Sequence, residues 1–166
     1  MAAAPLISIL IATRNAARDL PRCLDSIRRQ SFREFEVIVM DGASTDGTVE
    51  ILKASADVVA AWRSESDAGT YSAWNKALVL AKGEWICVLG ADDWLWDEGA
   101  LERLVPRLRA ALPAHRVVYS RIRQVDAGGR MIAELGEPWE QAKASFRSHV
   151  CLPHPGLMRV TLGFPL

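Results

Sequence analysis

Short apolar runs alternate along the chain with stretches of helical periodicity. Residues 6–12 (Leu-Ile-Ser-Ile-Leu-Ile-Ala) are almost wholly apolar, with no period-two alternation. That predicts a strand buried on both faces. Thr13, Arg14 and Asn15 follow at its carboxyl end. Asp19 can cap a helix, with Pro21 tolerated in the first turn. Leu20, Leu24 and Ile27 then form one apolar stripe as far as about residue 30. Residues 35–40 (Phe-Glu-Val-Ile-Val-Met) predict a second strand running into Asp41. Residues 42–48 read as a tight turn, 49–56 as a helix and 58–62 as a third strand, before the polar loop 63–69. Tyr71, Trp74, Leu78 and Ala81 are spaced 3, 4 and 3 apart, which predicts a helix over 70–81, closed by Gly83 as a left-handed cap. The next run, Trp85-Ile86-Cys87-Val88-Leu89, passes through Gly90 and Ala91 straight into Asp92 and Asp93. It predicts the central strand. From Asp97 onward Leu101, Leu104, Val105, Leu108 and Leu112 share a helix face that Pro113 ends.

This β-α-β-α-β-α-β-α order predicts an α/β fold: a three-layer α/β/α sandwich around a mainly parallel sheet. After it the pattern changes. Residues 117–120 predict a short strand. Residues 124–125 and 131–133 flank Asp126-Ala127-Gly128-Gly129 as a hairpin. A short helix over 142–146, a rigid loop over 151–156 and a last strand over 157–160 complete the chain. With no repeat or linker, one domain over 1–166 is expected, with a nucleotide-type half to about residue 112 and a mixed half over 113–166.

Composition narrows this little further. At 166 residues, half of them hydrophobic, the chain is long enough for a real core. Net charge is zero and the pI about 6.8, so no nucleic-acid partner is expected. The three cysteines, Cys23, Cys87 and Cys151, form no CxxC pair and read as buried thiols of a cytoplasmic protein. No run reaches the roughly 20 apolar residues of a membrane helix, and the start lacks a signal-like n-region.

The candidate chemistry lies at strand ends. A buried strand ending in Asp92-Asp93 brings two repelling carboxylates to the sheet's carboxyl edge, where ligands sit in open α/β sheets. Hard oxygen ligands suit Mg²⁺ or Mn²⁺ carrying substrate phosphates; a solvated turn before the next helix accounts for the pair as well. If the third strand is adjacent, Asp41, Asp67, Asp92 and Asp93 face one cleft, and such acids need a cation or hydroxyl partners. There is no GxGxxG or Walker A loop and no nucleophile elbow. A nucleotidyltransferase would need a glycine-rich basic loop after the first strand, where residues 13–19 offer only Arg14 and Arg18. His149-x-Cys151-x-x-His154 has zinc-like spacing but lacks a fourth ligand. Trp94 and Trp96, beside the acidic pair, can stack on sugars or bury against the next helix. Trp74 and Trp85 are expected in the core.

Five segments, in order, carry a family resemblance: 8–15, 41–48 (Asp-Gly-Ala-Ser-Thr-Asp-Gly-Thr), 66–77, 81–86 and 90–93. Together they resemble family 2 glycosyltransferases, inverting enzymes of the nucleotide-diphospho-sugar transferase (A-type glycosyltransferase) fold, over about residues 6–164. The resemblance implies that Thr13 and Asn15 border the nucleotide and that Asp41 binds a uracil-type base, its plainer role being to anchor the turn. It implies that Asp67 contacts the nucleotide sugar, and that Asn75 and Lys76 are the family's Asn-Lys pair. Asp92 and Asp93 match the DXD motif, Asp93 as the metal ligand and Asp92 towards ribose or donor sugar. Gly90 stands where longer forms of the motif have a first acid. His154 matches a position near the acceptor face, its plainer role being to hold its loop, and Trp94 is a candidate acceptor-side contact through its ring.

The implied reaction is direct displacement: an acceptor hydroxyl attacks the anomeric carbon of a UDP-type sugar and the nucleoside diphosphate leaves, with Mn²⁺ or Mg²⁺ as cofactor. The family setting is cell-surface polysaccharide assembly on a saccharide or lipid-linked acceptor. A cytoplasmic protein, peripheral at the inner face of the membrane and open to homodimer formation, is the matching expectation. The departure from the pattern is at the end. The family's catalytic Asp follows a Gly-x-Phe-Asp-like stretch, whereas this sequence reads Gly163-Phe164-Pro165-Leu166, and no residue matches the base. Glu134, Glu137 and Glu140 lie in the loosely matched region. The alternative expectation is therefore a catalytically impaired nucleotide-sugar-binding module, with the acceptor-side half incomplete.

Overall fold

A computed structural model describes residues 4–126, 128–145 and 157–160. Four strands, β1 (Ile7–Thr13), β2 (Phe35–Asp41), β3 (Ala61–Ser64) and β4 (Trp85–Gly90), run parallel. With β5 (Val117–Tyr119) and β8 (Leu157–Val160) they form a six-stranded sheet of order β3-β2-β1-β4-β8-β5. β8 is antiparallel to both of its neighbours. β6 (Ile122–Val125) and β7 (Met131–Leu135) make a separate antiparallel hairpin.

The layers follow from which residues each strand points where. Ile7, Ile9, Ile11, Val37, Val39, Trp85, Cys87 and Leu89 join one buried cluster. On them pack Leu20, Cys23, Leu24 and Ile27 of α1 (Leu20–Arg28), Leu52 of α2 (Thr48–Ala54), and Leu101, Val105 and Leu108 of α4 (Ala100–Ala111). The alternate residues Leu10, Ile38, Met40 and Ile86 meet Ala73 and Ala77 of α3 (Thr70–Leu80) on the opposite face. A last helix, α5 (Trp139–Ser145), follows the hairpin. The expected three-layer α/β/α sandwich is present, its later half mixed rather than parallel.

Several expectations are corrected. The third strand begins at Ala61, because the amides of Val58 and Val59 still bond to Ser55 O in a turn. Val59 is buried all the same. Of the residues whose spacing predicted α3, Tyr71 is 70% exposed and Leu78 43%, while Trp74 and Ala81 pack partly buried beside the small Ala73 and Ala77 that meet the sheet. Trp85 is fully buried, but Trp74 is only partly so. Gly83 is not a left-handed cap. A β-carbon there would lie 2.4 Å from the Ser8 amide nitrogen, so it marks a close passage of two backbones. Its N–H donates to Ser8 Oγ at 2.8 Å, and Ser8 Oγ donates in turn to Glu36 Oε1 at 2.6 Å. Asp19 sits at the N-cap of α1 but makes no capping bond with its side chain.

Candidate active site at the carboxyl edge of the sheet

Strand register levels the ends that carry the polar residues. Thr13 of β1 pairs with Asp41 of β2, Asp41 with Ser64 of β3, and Ala12 with Gly90 of β4. The loops after β1 and β2 are stitched together there. Asn15, at φ 50°, accepts from the Thr45 amide at 3.0 Å and donates its own N–H to Ser44 Oγ at 2.7 Å. The amides of Ala16 and Ala17 donate to Thr48 Oγ1 and Asp46 Oδ2. Ala43 is also in the left-handed region, at φ 57°.

Asp41 is the hub of this knot and only 1% exposed. Its carboxylate accepts from the Ser44 amide at 2.9 Å and from the hydroxyls of Ser44 and Ser64, each at 2.5 Å. Protein donors therefore compensate the burial of this carboxylate. Thr13 is 5% exposed, and its Oγ1 has no hydrogen-bond partner among the described residues. Asp67 is half-buried and accepts from the Gly69 amide at 2.9 Å, an Asx turn leading into α3. A β-carbon on Gly42 would lie 3.2 Å from Asp67 Oδ2 and 3.4 Å from Arg14 Cδ, so Asp67 lies over the β2 turn. On α3, Lys76 pairs with Glu65 at 2.7 Å and Asn75 is exposed.

The Asp92–Asp93 pair forms a second cluster. Asp93 Oδ2 accepts from the Gly90 amide at 3.0 Å. A β-carbon at Gly90 would lie 2.7 Å from Asp92 Oδ1 and 2.8 Å from Asp93 Oδ2, so both carboxylates fold over this one residue. Burial raises the Asp93 pKa above its ordinary value; the Gly90 hydrogen bond works against that, and the neighbouring Asp92 charge adds to the rise. Behind the pair, burial above all pushes the Cys23 and Cys87 thiols up to about 12, with the Asp93 charge contributing. Both cysteines are free. Among the described residues no group of three or more His, Cys, Asp and Glu side chains gathers to hold a metal. Two crowded carboxylates, Asp93 partly desolvated and Asp92 exposed, do suit a hard divalent ion that takes its remaining ligands from water and a diphosphate.

A cavity of about 940 Å³ opens from Asp92 and Asp93 between α4 and the β6–β7 hairpin, floored by Leu89 and Met158. Trp94 and Trp96 border it. The Arg22 guanidinium lies 3.3 Å from the centre of the Trp94 ring, and that of Arg123 lies 4.4 Å from the Trp96 ring. Asp41 and Asp67 are not among the residues that line this cavity. Glu134 is engaged by Arg121 and Arg123, which hold its pKa below the usual range, and Glu140 pairs with Lys143. His149, Cys151 and His154 lie outside the described residues. The sequence reading assigned no role to Ser44, Asp46, Thr48 or Ser64. The density of Asp, Ser and Thr over 41–48 was the available signal for the first three.

The profile of the Glycosyl transferase family 2 matches residues 8–158. The chain belongs to this family. Among its relatives, the PGL/p-HBAD biosynthesis glycosyltransferase of Mycobacterium tuberculosis is 43% identical over 105 residues, 61% of this chain and 41% of that protein. Chondroitin synthase of Escherichia coli is 32% identical over 137 residues, 81% of this chain and 20% of that protein. The family 2 chain thus spans about two fifths or less of the length of these relatives. S. aureus TarS 1-349, solved in complex with UDP-GlcNAc, superposes with a TM-score of 0.71 at 22% identity, covering 93% of this chain and 45% of that one. A mannosyltransferase from Pyrobaculum calidifontis, solved with GDP-Man and Mn²⁺, superposes at 0.64 with 28% identity, covering 74% and 36%. The fold is that of the A-type nucleotide-sugar transferases. No helix among the described residues is long and apolar enough to cross a membrane.

Proposed function

We propose that this family 2 domain binds a UDP-type nucleotide sugar along the carboxyl edge and transfers the sugar with inversion to an acceptor hydroxyl, on the cytoplasmic side of cell-surface polysaccharide assembly. The observation that supports this most is the pair of carboxylates folded over Gly90 at the end of a central strand, with Asp93 already disfavoured as a lone anion. Asp93, aided by Asp92, would hold Mn²⁺ or Mg²⁺. When bound, such an ion offsets the charge that grows on the departing diphosphate.

The remaining roles fall to the chain's own residues. Thr13 and Asn15 border the nucleotide, and the orphaned hydroxyl of Thr13 is a hydrogen-bonding group available to it. Asp41 keeps the 41–48 turn rigid through Ser44 and Ser64, which gives the base a fixed surface. Asp67, Asn75 and Lys76 approach from the α3 side. In transfer, the acceptor oxygen bonds to the anomeric carbon as the bond from that carbon to the diphosphate oxygen breaks, and a base takes the hydroxyl proton. Holding donor and acceptor in line supplies much of the acceleration.

One observation favours a second reading, a donor-binding module without turnover. Glu134 is held ionised by two arginines and is a poor base, and Glu140 is held by Lys143. Two measurements separate the readings. A thermal-shift screen should show UDP-sugars raising Tm above ADP- and CMP-sugars. A coupled assay for UDP release then reports turnover. Stabilisation without release leaves the binding module; no preference for uridine donors removes both.

A further inference from the structure

We propose that the acceptor is anionic, its phosphate or carboxylate held by the arginine wall of the cavity beside Asp93. This rests on the reading of the sheet edge as a donor site. The polar ends of β1, β2 and β3 lie on one side of Asp92 and Asp93. The cavity leaves on the other side, towards β6 and β7, and its roughly 940 Å³ suits a small saccharide.

The charges in this cavity do not cancel one another. Arg103 and Arg107 come from α4, and Arg121 and Arg123 from the opposite wall. Arg103 is taken by Asp97, which lies outside this cavity, at 2.7 Å. Arg121 and Arg123 share the single carboxylate of Glu134, at 3.1 and 3.2 Å. Arg107 has no ion pair among the described residues, and Asp92 and Asp93 pair with none of the four. One hollow thus keeps an acidic end and an arginine-rich wall apart, an arrangement suited to a cation at one end and an anion at the other. Guanidinium forks match the geometry of phosphate and carboxylate oxygens. Arg123 is steadied by its stack on Trp96, a residue 58% exposed that offers an apolar face to a sugar.

The test uses the full chain saturated with UDP and Mn²⁺. Glucose 1-phosphate and glucuronic acid, with methyl glucoside as neutral control, represent a soluble acidic sugar. Vesicles of phosphatidylglycerol, with phosphatidylcholine as control, represent a lipid-borne phosphate. An anionic probe of one source should bind about tenfold or more tightly than its neutral counterpart. Arg107→Gln with Arg123→Gln should remove that preference, while Glu134→Gln, which frees two guanidiniums, should increase it. UDP affinity, measured on the same samples, is the internal reference. Equal binding of charged and neutral probes overturns the proposal. So does a loss of UDP affinity in the arginine variants that matches their loss of probe affinity, which would assign the wall to the donor diphosphate. Failure of UDP to bind the unaltered chain removes the donor-site reading, and this proposal with it.

Discussion

Replacing Gly90 by Ala separates the acidic pair's function from its place in the fold. The new methyl would lie 2.7 Å from Asp92 Oδ1 and 2.8 Å from Asp93 Oδ2, inside van der Waals contact with both. The clashing atoms are the ends of two side chains, exposed in Asp92 and half-exposed in Asp93, so they swing away and the strand stays. The swing breaks the 3.0 Å bond from the Gly90 amide to Asp93, a charge-assisted bond at a partly exposed site, at a cost of about 1–2 kcal/mol. Alanine returns about 0.5–1 kcal/mol by narrowing the unfolded chain's freedom. The net loss is about 1 kcal/mol or less, a Tm decrease of no more than about 2–4 °C. Divalent-ion affinity depends far more steeply on ligand orientation and should fall about 10- to 100-fold. Calorimetry of UDP with and without Mn²⁺, alongside a melting curve, measures both quantities. A variant that melts normally and keeps the full Mn²⁺ enhancement would refute the reasoning, as would one that simply fails to fold.

Other expectations follow from the same coordinates. Gly83→Ala pushes a methyl to within 2.4 Å of backbone rather than side chain, and should destabilise by about 3 kcal/mol in denaturant titration. Asp41→Asn leaves one oxygen to accept where two accepted three bonds, so stability should fall by about 1–3 kcal/mol in the same assay. Folding raises the Asp93 pKa, so the folded chain keeps that proton to higher pH than the unfolded chain. Stability of the metal-free protein therefore falls as pH climbs from the ordinary 3.8 through the raised value. Asp93→Asn should accordingly raise Tm at neutral pH, with the gain vanishing below about pH 4. Cys23 and Cys87, with thiols at about 12, should resist alkylation at neutral pH until the chain unfolds, as mass spectrometry after iodoacetamide treatment would show.

The parallel core was legible because its strands are apolar runs with no alternation, a pattern only a sheet covered on both faces explains. What misled was size. On α3 the large Trp74 was expected in the core and is only partly buried, since close approach to β1 and β2 selects the small Ala73 and Ala77. Gly83 was recognised as special for the wrong reason, since the crowding comes from a strand far away in sequence. At the site, residue types at strand ends located the acids, but partners decide what an acid does. Asp41 could be read as a contact to the base or as an anchor of the turn, and its bonds from Ser44 and Ser64 supply the anchoring. Arg107 suggested no more than a solvated helix face, and only the tertiary fold sets it opposite Arg121 and Arg123.

The most direct test is calorimetric titration of UDP into the chain with Mn²⁺ and with EDTA, repeated on Asp93→Ala. The acidic pair at the end of β4, as a metal-diphosphate site, predicts UDP binding about tenfold or more tighter with Mn²⁺ in the unaltered chain and no metal effect in the variant. Equal UDP affinity with and without metal in the unaltered chain would contradict it.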